Sequence, residues 1–513
     1  MSKKTKLGLA GVAAVAALAT RPLSRKKALD TGAPPPARSW RMRITSHETF
    51  DHDSIDSLGY DWSRIANPAI APKFPLKVYL PRSTEDLVAI VKEAKALGQT
   101  LKVRSKGHSS NDLVLEEGGA VVVTEKLNQV LEINEDTMTA KVQAGAISAQ
   151  LDDRLATMGL GLPIIGDHNH ITVGGFASVG GISPASHRFG LFIDQVKSLE
   201  YVTWDGEVIN CSRTERPDHF YKVLAGTGQH GIIATMTLNI IRIDKYGTVL
   251  ENDQHRFRDV ESFIQHSKKF IEDPGDSLYE RGVWIDFKLP RRRLTVGQFS
   301  AYHETEQSRL HKVRNRASYG YLHRIGYMAG RLPPGVDRTL KYIGTAGVIF
   351  SPKFATIKNI EFFTDKILDS TVGDPTRMFI VLAPLHRYEE LFRDSFNLMV
   401  DWRERTGCFT FVSVYVKCIT SEYLSQGTDQ KRFCELMFYV GVNNKNMNDE
   451  ILEQMTSDFD DITIKHGGFR YMHSKTVKDH RLAQIDPNAH YSRPGARVNG
   501  QVSVGEGQVP VGD

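Results

Sequence analysis

The chain has 513 residues, of which 41% are hydrophobic and 24% are charged, and its formal net charge is +5. These proportions are typical of a globular protein and exclude wholesale disorder. The basic residues are spread along the chain without a Lys/Arg run or a repeat of basic and aromatic residues, so no nucleic-acid partner is predicted.

The cysteine content excludes two common classes of cysteine-dependent domain. Four cysteines in 513 residues are too few for a disulfide-stapled secreted domain. None of them forms a C-x-x-C pair, which excludes a zinc ribbon and a thioredoxin-type site. Buried, reduced thiols are predicted for Cys211, Cys408, Cys418 and Cys434.

The N-terminus contains an apolar segment, Leu7 to Ala19, between basic residues. As a helix it would reach about 20 Å, short of the ~30 Å hydrocarbon core of a bilayer. Its length fits a signal-peptide core, and Ala17-Leu18-Ala19 resembles a cleavage site. A retained anchor, a cleaved signal and a disordered tail all stay open. We predict membrane association through residues 7–19, and otherwise a cytoplasmic protein, with a proline-rich linker completing residues 1–40.

Helices and strands are both predicted from Pro81 onward, without strict alternation. Ser83 and Asp86 are spaced as a capping box, and Gly98 ends the helix that follows. A second helix is predicted over 146–158, and Trp204-Asp205-Gly206 is typical of a hairpin turn. Strands are predicted over 100–104, 120–124, 137–143, 197–203, 207–210, 232–243 and 410–417.

One short glycine motif is similar to the motif of nicotinamide-binding sites. Residues 226–231 read GTGQHG and match the G-x-G-x-x-G pattern. In a dinucleotide-binding fold, the last glycine opens a helix whose N-terminus faces the pyrophosphate. Here β-branched residues follow, which favour a strand. A nicotinamide-binding Rossmann fold is therefore not predicted.

Three other segments together give a stronger indication of a cofactor-binding site. Residues 104–110 predict a strand that ends in a turn rich in backbone and hydroxyl donors, which suits a pyrophosphate. Residues 166–182 are rich in glycine and carry Asp167, and residues 225–233 contain the glycine turn described above.

These segments resemble the flavin domain of the vanillyl-alcohol-oxidase/PCMH superfamily. The resemblance rests on five stretches in the correct order, ITVGGFASVGGIS, ASHRFGLF, DGEVINCS, HFYKVL and GTGQHGII. The two most similar branches are the cytokinin dehydrogenases and the Δ24-sterol reductases. The resemblance implies an α+β fold, with a two-subdomain PCMH-type FAD-binding domain at 68–245 and an α+β substrate or cap domain at 246–470. Residues 471–500 would return to the FAD-binding domain.

The resemblance also implies roles for individual residues. His108 lies where cytokinin dehydrogenases attach the flavin covalently, and Asp167 matches their catalytic aspartate. The predicted FAD-binding residues are Ser105, Lys106, Gly107, His108, Ser109, Asp167, Thr172, Val173, Gly174, Gly175, Ser178, Ile182, Ile232 and Ile233.

Simpler roles stay open for both central residues. His108 could bind FAD without a covalent bond, and Asp167 could cap the loop that follows it. Alternation puts His168 and His170 on one face and Asn169 on the other, so no metal site is predicted.

The predicted function is hydride transfer between an organic substrate and flavin N5, with oxidation of a C–H next to nitrogen or oxygen. A carboxylate in a dry cavity would accept the accompanying proton. The alternative is an NAD(P)H-dependent reductase of a C=C bond in a sterol or other lipid, because residues 185–192 resemble the sterol-reductase branch. A flavin-binding scaffold without turnover is the third hypothesis. The substrate is thus a small organic molecule or a lipid.

Overall fold

The structure is a computed structural model that describes residues 58–59, 61, 73–109, 113–289, 292–306, 353–361, 364, 376–442 and 446–489. The predicted N-terminal segment, including residues 7–19, lies outside the described residues, as does the part of the C-terminal segment after 489. Within the described ranges, no helix combines the length and apolarity needed to cross a membrane.

The first part of the chain builds a small parallel sheet and a helix that packs against its neighbours. The sheet has the order β1-β3-β2, with β1 at Lys77–Tyr79, β2 at Leu101–Arg104 and β3 at Ala120–Val123. Helix α1 (Thr84–Ala96) connects β1 to β2 and buries Leu87, Ile90, Val91 and Ala94, which form one apolar stripe.

A five-stranded antiparallel sheet follows, in the order β4-β5-β9-β7-β8. Its strands are β4 (Val130–Asn134), β5 (Thr139–Gln143), β7 (Val196–Val202), β8 (Val208–Ser212) and β9 (Ile232–Asn239). A short two-stranded ladder joins β6 (Leu160–Gly161) to β10 (Ile241–Arg242). The helices of this region are α2 (Ser148–Ala156), α3 (Val173–Val179), α4 (Ser186–Phe189) and α5 (Pro217–Val223).

The second part of the chain is organised around an eight-stranded sheet of order β14-β11-β13-β12-β16-β17-β15-β18. Its strands are β11 (Val249–Phe257), β12 (Tyr279–Leu289), β13 (Arg292–Glu304), β14 (Phe354–Thr356), β15 (Thr376–Pro384), β16 (Phe409–Thr420), β17 (Arg432–Val442) and β18 (Phe469–Arg470). The helices are α6 (Val260–Glu272), α7 (Tyr388–Thr406), α8 (Glu422–Ser425), α9 (Asp449–Lys465) and α10 (Leu482–Ile485).

The two parts meet through a shared hydrophobic cluster, which includes Tyr279 and Tyr302 of the second part, and through buried polar contacts. Helices α6, α7 and α9 pack on one face of the large sheet and form its own core. At the junction, Lys245 Nζ lies 2.7 Å from Asp152 Oδ1 and 2.8 Å from Glu361 Oε1. These charges are buried, so each needs its partners, and the pairs fix how the two parts meet.

The structure confirms the predicted α+β fold class, in which helices and strands are mixed. The helix start at Ser83 is confirmed, because the Asp86 amide donates to Ser83 Oγ at 3.2 Å. The reciprocal arm of the predicted capping box is wrong, since Asp86 Oδ2 accepts from the amide of Arg82, one residue earlier. The predicted hairpin is confirmed as the β7–β8 pair. The strands that were not predicted are β1, β4, β6, β11 to β15, β17 and β18.

The end of the described chain returns to the first part. The Gly181 amide donates to Tyr471 Oη at 3.2 Å, and Asn488 Nδ2 donates to the carbonyls of Tyr221, Lys222 and Leu224. The predicted domain boundaries stay a prediction, but these contacts explain why residues 471–489 accompany the first part.

Candidate functional site

A cavity of about 320 Å³ lies between the turns of the first part and one face of the eight-stranded sheet. One wall comes from residues 103–109, 166–182 and 227–233, the three segments singled out in the sequence. The other wall comes from alternating residues of β12, β15, β16 and β17, with Tyr471 and His473 at the side. The cavity therefore joins the two parts of the molecule.

The turn after β2 depends on glycine. Gly107 has a φ of +68°, and a Cβ there would lie 2.4 Å from Arg104 Nη2. Arg104 is 1% exposed and lines the cavity. Burial lowers the pKa of Arg104 to about 10, with the nearby carboxylates of Asp61 and Glu125 acting in the opposite direction. The turn thus places a buried guanidinium beside the cavity.

The hydroxyl and ammonium groups of this turn mostly bind protein partners. Ser105 Oγ lies 2.5 Å from Thr124 Oγ1, and Ser109 Oγ donates to Asp61 Oδ2 at 3.2 Å. Lys106 Nζ forms an ion pair with Glu125 Oε1 at 3.0 Å. These side chains line the cavity, but their polar atoms hold the turn in place.

Helix α3 brings the glycine pair to the cavity. Thr172 caps the helix, with its Oγ1 accepting from the Gly175 amide at 3.3 Å. A Cβ on Gly174 would lie 2.7 Å from Ala144 Cβ, so this glycine permits close packing. A Cβ on Gly175 would meet only Thr172 Oγ1, at 3.1 Å, and would otherwise extend into open space. Gly175 thus leaves room in the cavity for a ligand.

The glycine turn before β9 also leaves space at the cavity. Gly228 has a φ of +78°, and a Cβ there would have no neighbour within 4 Å. Ile232 and Ile233 begin β9 and line the wall, as the strand prediction requires. No helix follows the G-x-G-x-x-G motif, which confirms that it is not a Rossmann fingerprint.

His108 is held by two other histidines. Its ring makes an edge contact with the His168 ring, with the centroids 4.1 Å apart. Its backbone carbonyl accepts a hydrogen bond from His473 Nε2. Burial lowers the pKa of His473, and the bond to His108 opposes this shift. The C-terminal segment therefore positions the backbone of His108.

Asp167 takes part in a buried cluster of three charges. Lys417 Nζ lies 2.6 Å from Asp167 Oδ2 and 3.2 Å from Glu435 Oε2. Lys417 and Glu435 are opposite each other on β16 and β17, and each side chain is 3% exposed. Asp167 Oδ1 is buried and has no hydrogen-bond partner among the described residues. We call Asp167, Lys417 and Glu435 the charged triad.

Burial and neighbouring charges shift the pKa values of Lys417 and Glu435. Desolvation raises the pKa of Glu435, although Lys417 acts to lower it. Burial disfavours the charged form of Lys417, but the carboxylates of Asp167 and Glu435 outweigh this, so its pKa lies above the ordinary value. Lys417 is therefore an ammonium at neutral pH, held between two acidic groups.

All but one of the predicted site residues line the cavity. The exception is Val173, which is fully buried in the core of the first part. Its position on α3, between the capping Thr172 and Gly174, turns its side chain away from the cavity. The prediction that Val173 binds the cofactor stays a prediction, which its buried side chain does not support.

The sequence prediction missed the residues of the second wall. Lys417, Glu435 and Tyr415 line the cavity, as do Arg104 and His473. A signal was present in FVSVYVK, where polar Ser413, Tyr415 and Lys417 alternate with valines along a strand. That alternation would have indicated a strand with one polar face.

The residues present fit FAD. The cavity connects a donor-rich turn at 105–109 to a hydrophobic edge at Ile232 and Ile233, as an elongated dinucleotide requires. Gly175 and Gly228 leave open space where any side chain would intrude. Backbone amides and the Arg104 guanidinium are suited to the pyrophosphate.

The comparisons with known proteins point to the same cofactor. A family described as FAD binding domain matches residues 75–212. Cytokinin dehydrogenase 2 from Arabidopsis thaliana is 33% identical over 185 residues, which are 36% of this chain and 36% of that protein. Cytokinin dehydrogenase 8 from Oryza sativa subsp. japonica is 34% identical over 180 residues, 32% of this chain and 34% of that protein. The matched part thus spans about a third of the length of these relatives.

The overall fold has a counterpart among solved structures. A crystal structure of 6-hydroxy-D-nicotine oxidase from Arthrobacter nicotinovorans aligns with a TM-score of 0.58 and 14% sequence identity. The alignment covers 86% of this chain and 91% of that chain. At this identity the likeness shows the fold alone, but it extends over both parts of the molecule.

Proposed function

We propose that the chain is an FAD-linked oxidoreductase of the vanillyl-alcohol-oxidase/PCMH superfamily and that it transfers a hydride between an organic substrate and flavin N5. The direction that the site favours is oxidation of a C–H next to nitrogen or oxygen. The observation that carries this proposal is Asp167 Oδ1, a buried acceptor without a hydrogen-bond partner among the described residues, at the wall of the FAD cavity.

Bound FAD supplies an acceptor for the two electrons that leave with the substrate hydrogen. The chain supplies the proton acceptor. As the C–H bond breaks, the N–H or O–H proton of the substrate moves to Asp167 Oδ1, while Lys417 keeps the carboxylate oriented through Oδ2. Apolar residues such as Ile380 and Met437 line much of the cavity near this acceptor.

The cofactor-binding residues are part of the same proposal. We assign the turn at 105–109 and residues 172, 174, 175, 178 and 182 to the dinucleotide, and Ile232 and Ile233 to the flavin ring. His108 is the attachment point if the flavin is covalent, and its contacts with His168 and His473 hold it in place. Precipitating the protein with acid tests this point, since only covalent flavin stays in the pellet.

The proposed reaction is tested by mixing the FAD-loaded protein with primary amines and alcohols in the absence of oxygen. Loss of the oxidised-flavin absorbance is the expected result, and Asp167→Asn should slow it strongly. A protein that binds FAD but is reduced by none of these donors would contradict the proposal. Such a result would favour the flavin-binding scaffold.

A second candidate function is the reduction of a lipid C=C bond with NAD(P)H as the donor. The large apolar share of the second wall, with Phe287, Met378 and Phe411, favours a lipid-like substrate. The segment at 185–192 that motivated this candidate does not line the cavity, and His187 Nε2 instead donates to the Ser277 carbonyl at 2.9 Å. Anaerobic mixing with NADPH decides between the two, because only the reductase would lose flavin absorbance.

A further inference from the structure

The second wall of the cavity changes in polarity along its strands. On β16, the side chains of Phe411, Ser413, Tyr415 and Lys417 all line the cavity. Lys417 lies opposite Glu435 at one end of this face, and Phe411 lies opposite Phe287 at the other. The face thus has a charged end and an aromatic end.

The rows between these ends carry no charged side chain and are mostly apolar, with hydroxyl groups on Ser413, Tyr415 and Tyr439. Cross-strand partners define the rows, which read Tyr415, Met437 and Ile380 in the first, and Ile285, Ser413, Tyr439 and Met378 in the second. A strand advances about 3.4 Å per residue, so the apolar stretch from Tyr415 to Phe411 is about 14 Å long. Lys417 lies about 7 Å beyond it. This length exceeds that of a small polar substrate.

The charged end has its own selectivity. It contains one ammonium and two carboxyl groups, and Asp167 Oδ1 is available as an acceptor. A substrate carboxylate or phosphate would meet two acidic groups, and the only cation of the triad is already shared between them. An amine or a hydroxyl group would instead donate to Asp167 Oδ1. The triad therefore favours a donor and disfavours an anion.

From these two features we propose that the substrate is an amphiphile with an amine or hydroxyl head at the charged triad and an extended apolar body along the rows from Tyr415 to Phe411. This inference rests on the proposed function, because the carbon that bears the head group is the one that the proposed reaction oxidises. It adds the shape and charge of the substrate, which the superfamily does not specify.

The test measures binding to the FAD-loaded protein by the change in flavin absorbance, without requiring turnover. The probes are butylamine, hexylamine, octylamine and decylamine, with octanol and octanoate for comparison. Each added methylene buried on the apolar rows should raise the affinity about four-fold. Octanoate should bind at least about ten-fold more weakly than octylamine, because it faces the two acidic groups.

Two variants locate the binding. Met378→Gln keeps the volume of a side chain in the second row but makes it polar, so it should reduce the gain in affinity from butylamine to octylamine. Leu294→Gln is the matched control, since Leu294 is an exposed apolar residue of the same sheet and does not line the cavity. Glu435→Gln removes one acidic group and should reduce the difference in binding affinity between octylamine and octanoate.

The outcomes separate this inference from the proposed function. The assignment of the apolar body would be overturned if the affinity did not depend on the chain length of the amine. It would also be overturned if this dependence were the same in wild type and in Met378→Gln. Tighter binding of octanoate than of octylamine would overturn the head group. In both cases, reduction of the flavin by any amine or alcohol would leave the proposed function standing. Length-dependent binding without reduction would instead contradict the proposed function alone.

Discussion

The two walls of the cavity differ in how they are built. The first wall consists of turns and a short helix, in which glycines and capping side chains set the backbone locally. The second wall is the face of an antiparallel sheet, in which residues from four strands meet only through cross-strand register. The family match to an FAD binding domain, at residues 75–212, includes much of the first wall and none of the second.

This difference indicates which residues act in the reaction and which select the cofactor or the substrate. Most polar side chains on the first wall are engaged with protein partners, as in Ser105 with Thr124 and Lys106 with Glu125. The triad crosses from one wall to the other, because Asp167 belongs to the first and Lys417 and Glu435 belong to the second. Disturbing the triad should therefore affect chemistry, whereas disturbing one wall alone should affect cofactor binding or substrate choice.

The largest effect is expected from Asp167→Asn. An amide in this position cannot accept the substrate proton, so the rate of flavin reduction should fall by about 10² to 10⁴ while FAD remains bound. Rapid mixing with an amine donor measures the rate. Asp205→Asn is the matched control, because Asp205 is exposed and pairs with Lys95 far from the cavity. An unchanged rate in Asp167→Asn would remove this residue from the mechanism.

Lys417→Met tests whether the triad also holds the walls together. Removing the ammonium leaves the buried Glu435 and the partly exposed Asp167 without their cation, which should cost about 3 kcal/mol of the free energy of unfolding, the lower end for a buried pair. Lys465→Met is the control, since Lys465 pairs with Asp394 at the surface and should change stability by about 1 kcal/mol or less. Equal melting temperatures for the two variants would mean that the triad does not stabilise the junction.

Gly175→Val separates cofactor binding from folding. The added side chain would extend into the cavity rather than into the protein, so we expect overpacking against bound FAD of about 1–3 kcal/mol. The content of released flavin per protein should fall, while the melting temperature of the apoprotein stays close to that of wild type. Full FAD loading in this variant would show that the dinucleotide does not pass over Gly175.

The last prediction is a pH dependence of stability from Glu280, next to the junction. Burial raises the pKa of Glu280 from 4.5 to about 8, although the Cys418 amide bonds to its carboxylate. The folded protein thus retains a proton that the unfolded chain releases, so stability falls as pH rises between these two values, by at most about 1.4 kcal/mol per pH unit.

Thermal unfolding at about pH 5 and about pH 8 measures this dependence, because the pKa of Glu280 rises from 4.5 in the unfolded chain to about 8 in the folded protein. Glu280→Gln should flatten it, whereas Glu422→Gln, at an exposed position, should follow the wild type. A wild type and a Glu280→Gln variant with the same pH profile would remove Glu280 as its source.

The first wall was predictable from the sequence because its information is local. Ser83 and Thr172 cap helices within three residues, and the β-branched run after Gly231 indicates a strand by itself. Lys417 was not predicted, because its partner Asp167 lies 250 residues away in the chain. Glu435 joins them only through the register of β16 and β17. Such register depends on the packing of the whole sheet, which one sequence does not reveal.

The most direct test is an experimental structure of the protein with FAD bound. We expect the dinucleotide in the cavity, with its pyrophosphate at the turn around Gly107, its chain beside Gly175 and its ring between Ile232 and the face that bears Lys417. FAD bound away from these glycines, or a flavin ring remote from Asp167 and Lys417, would contradict the account.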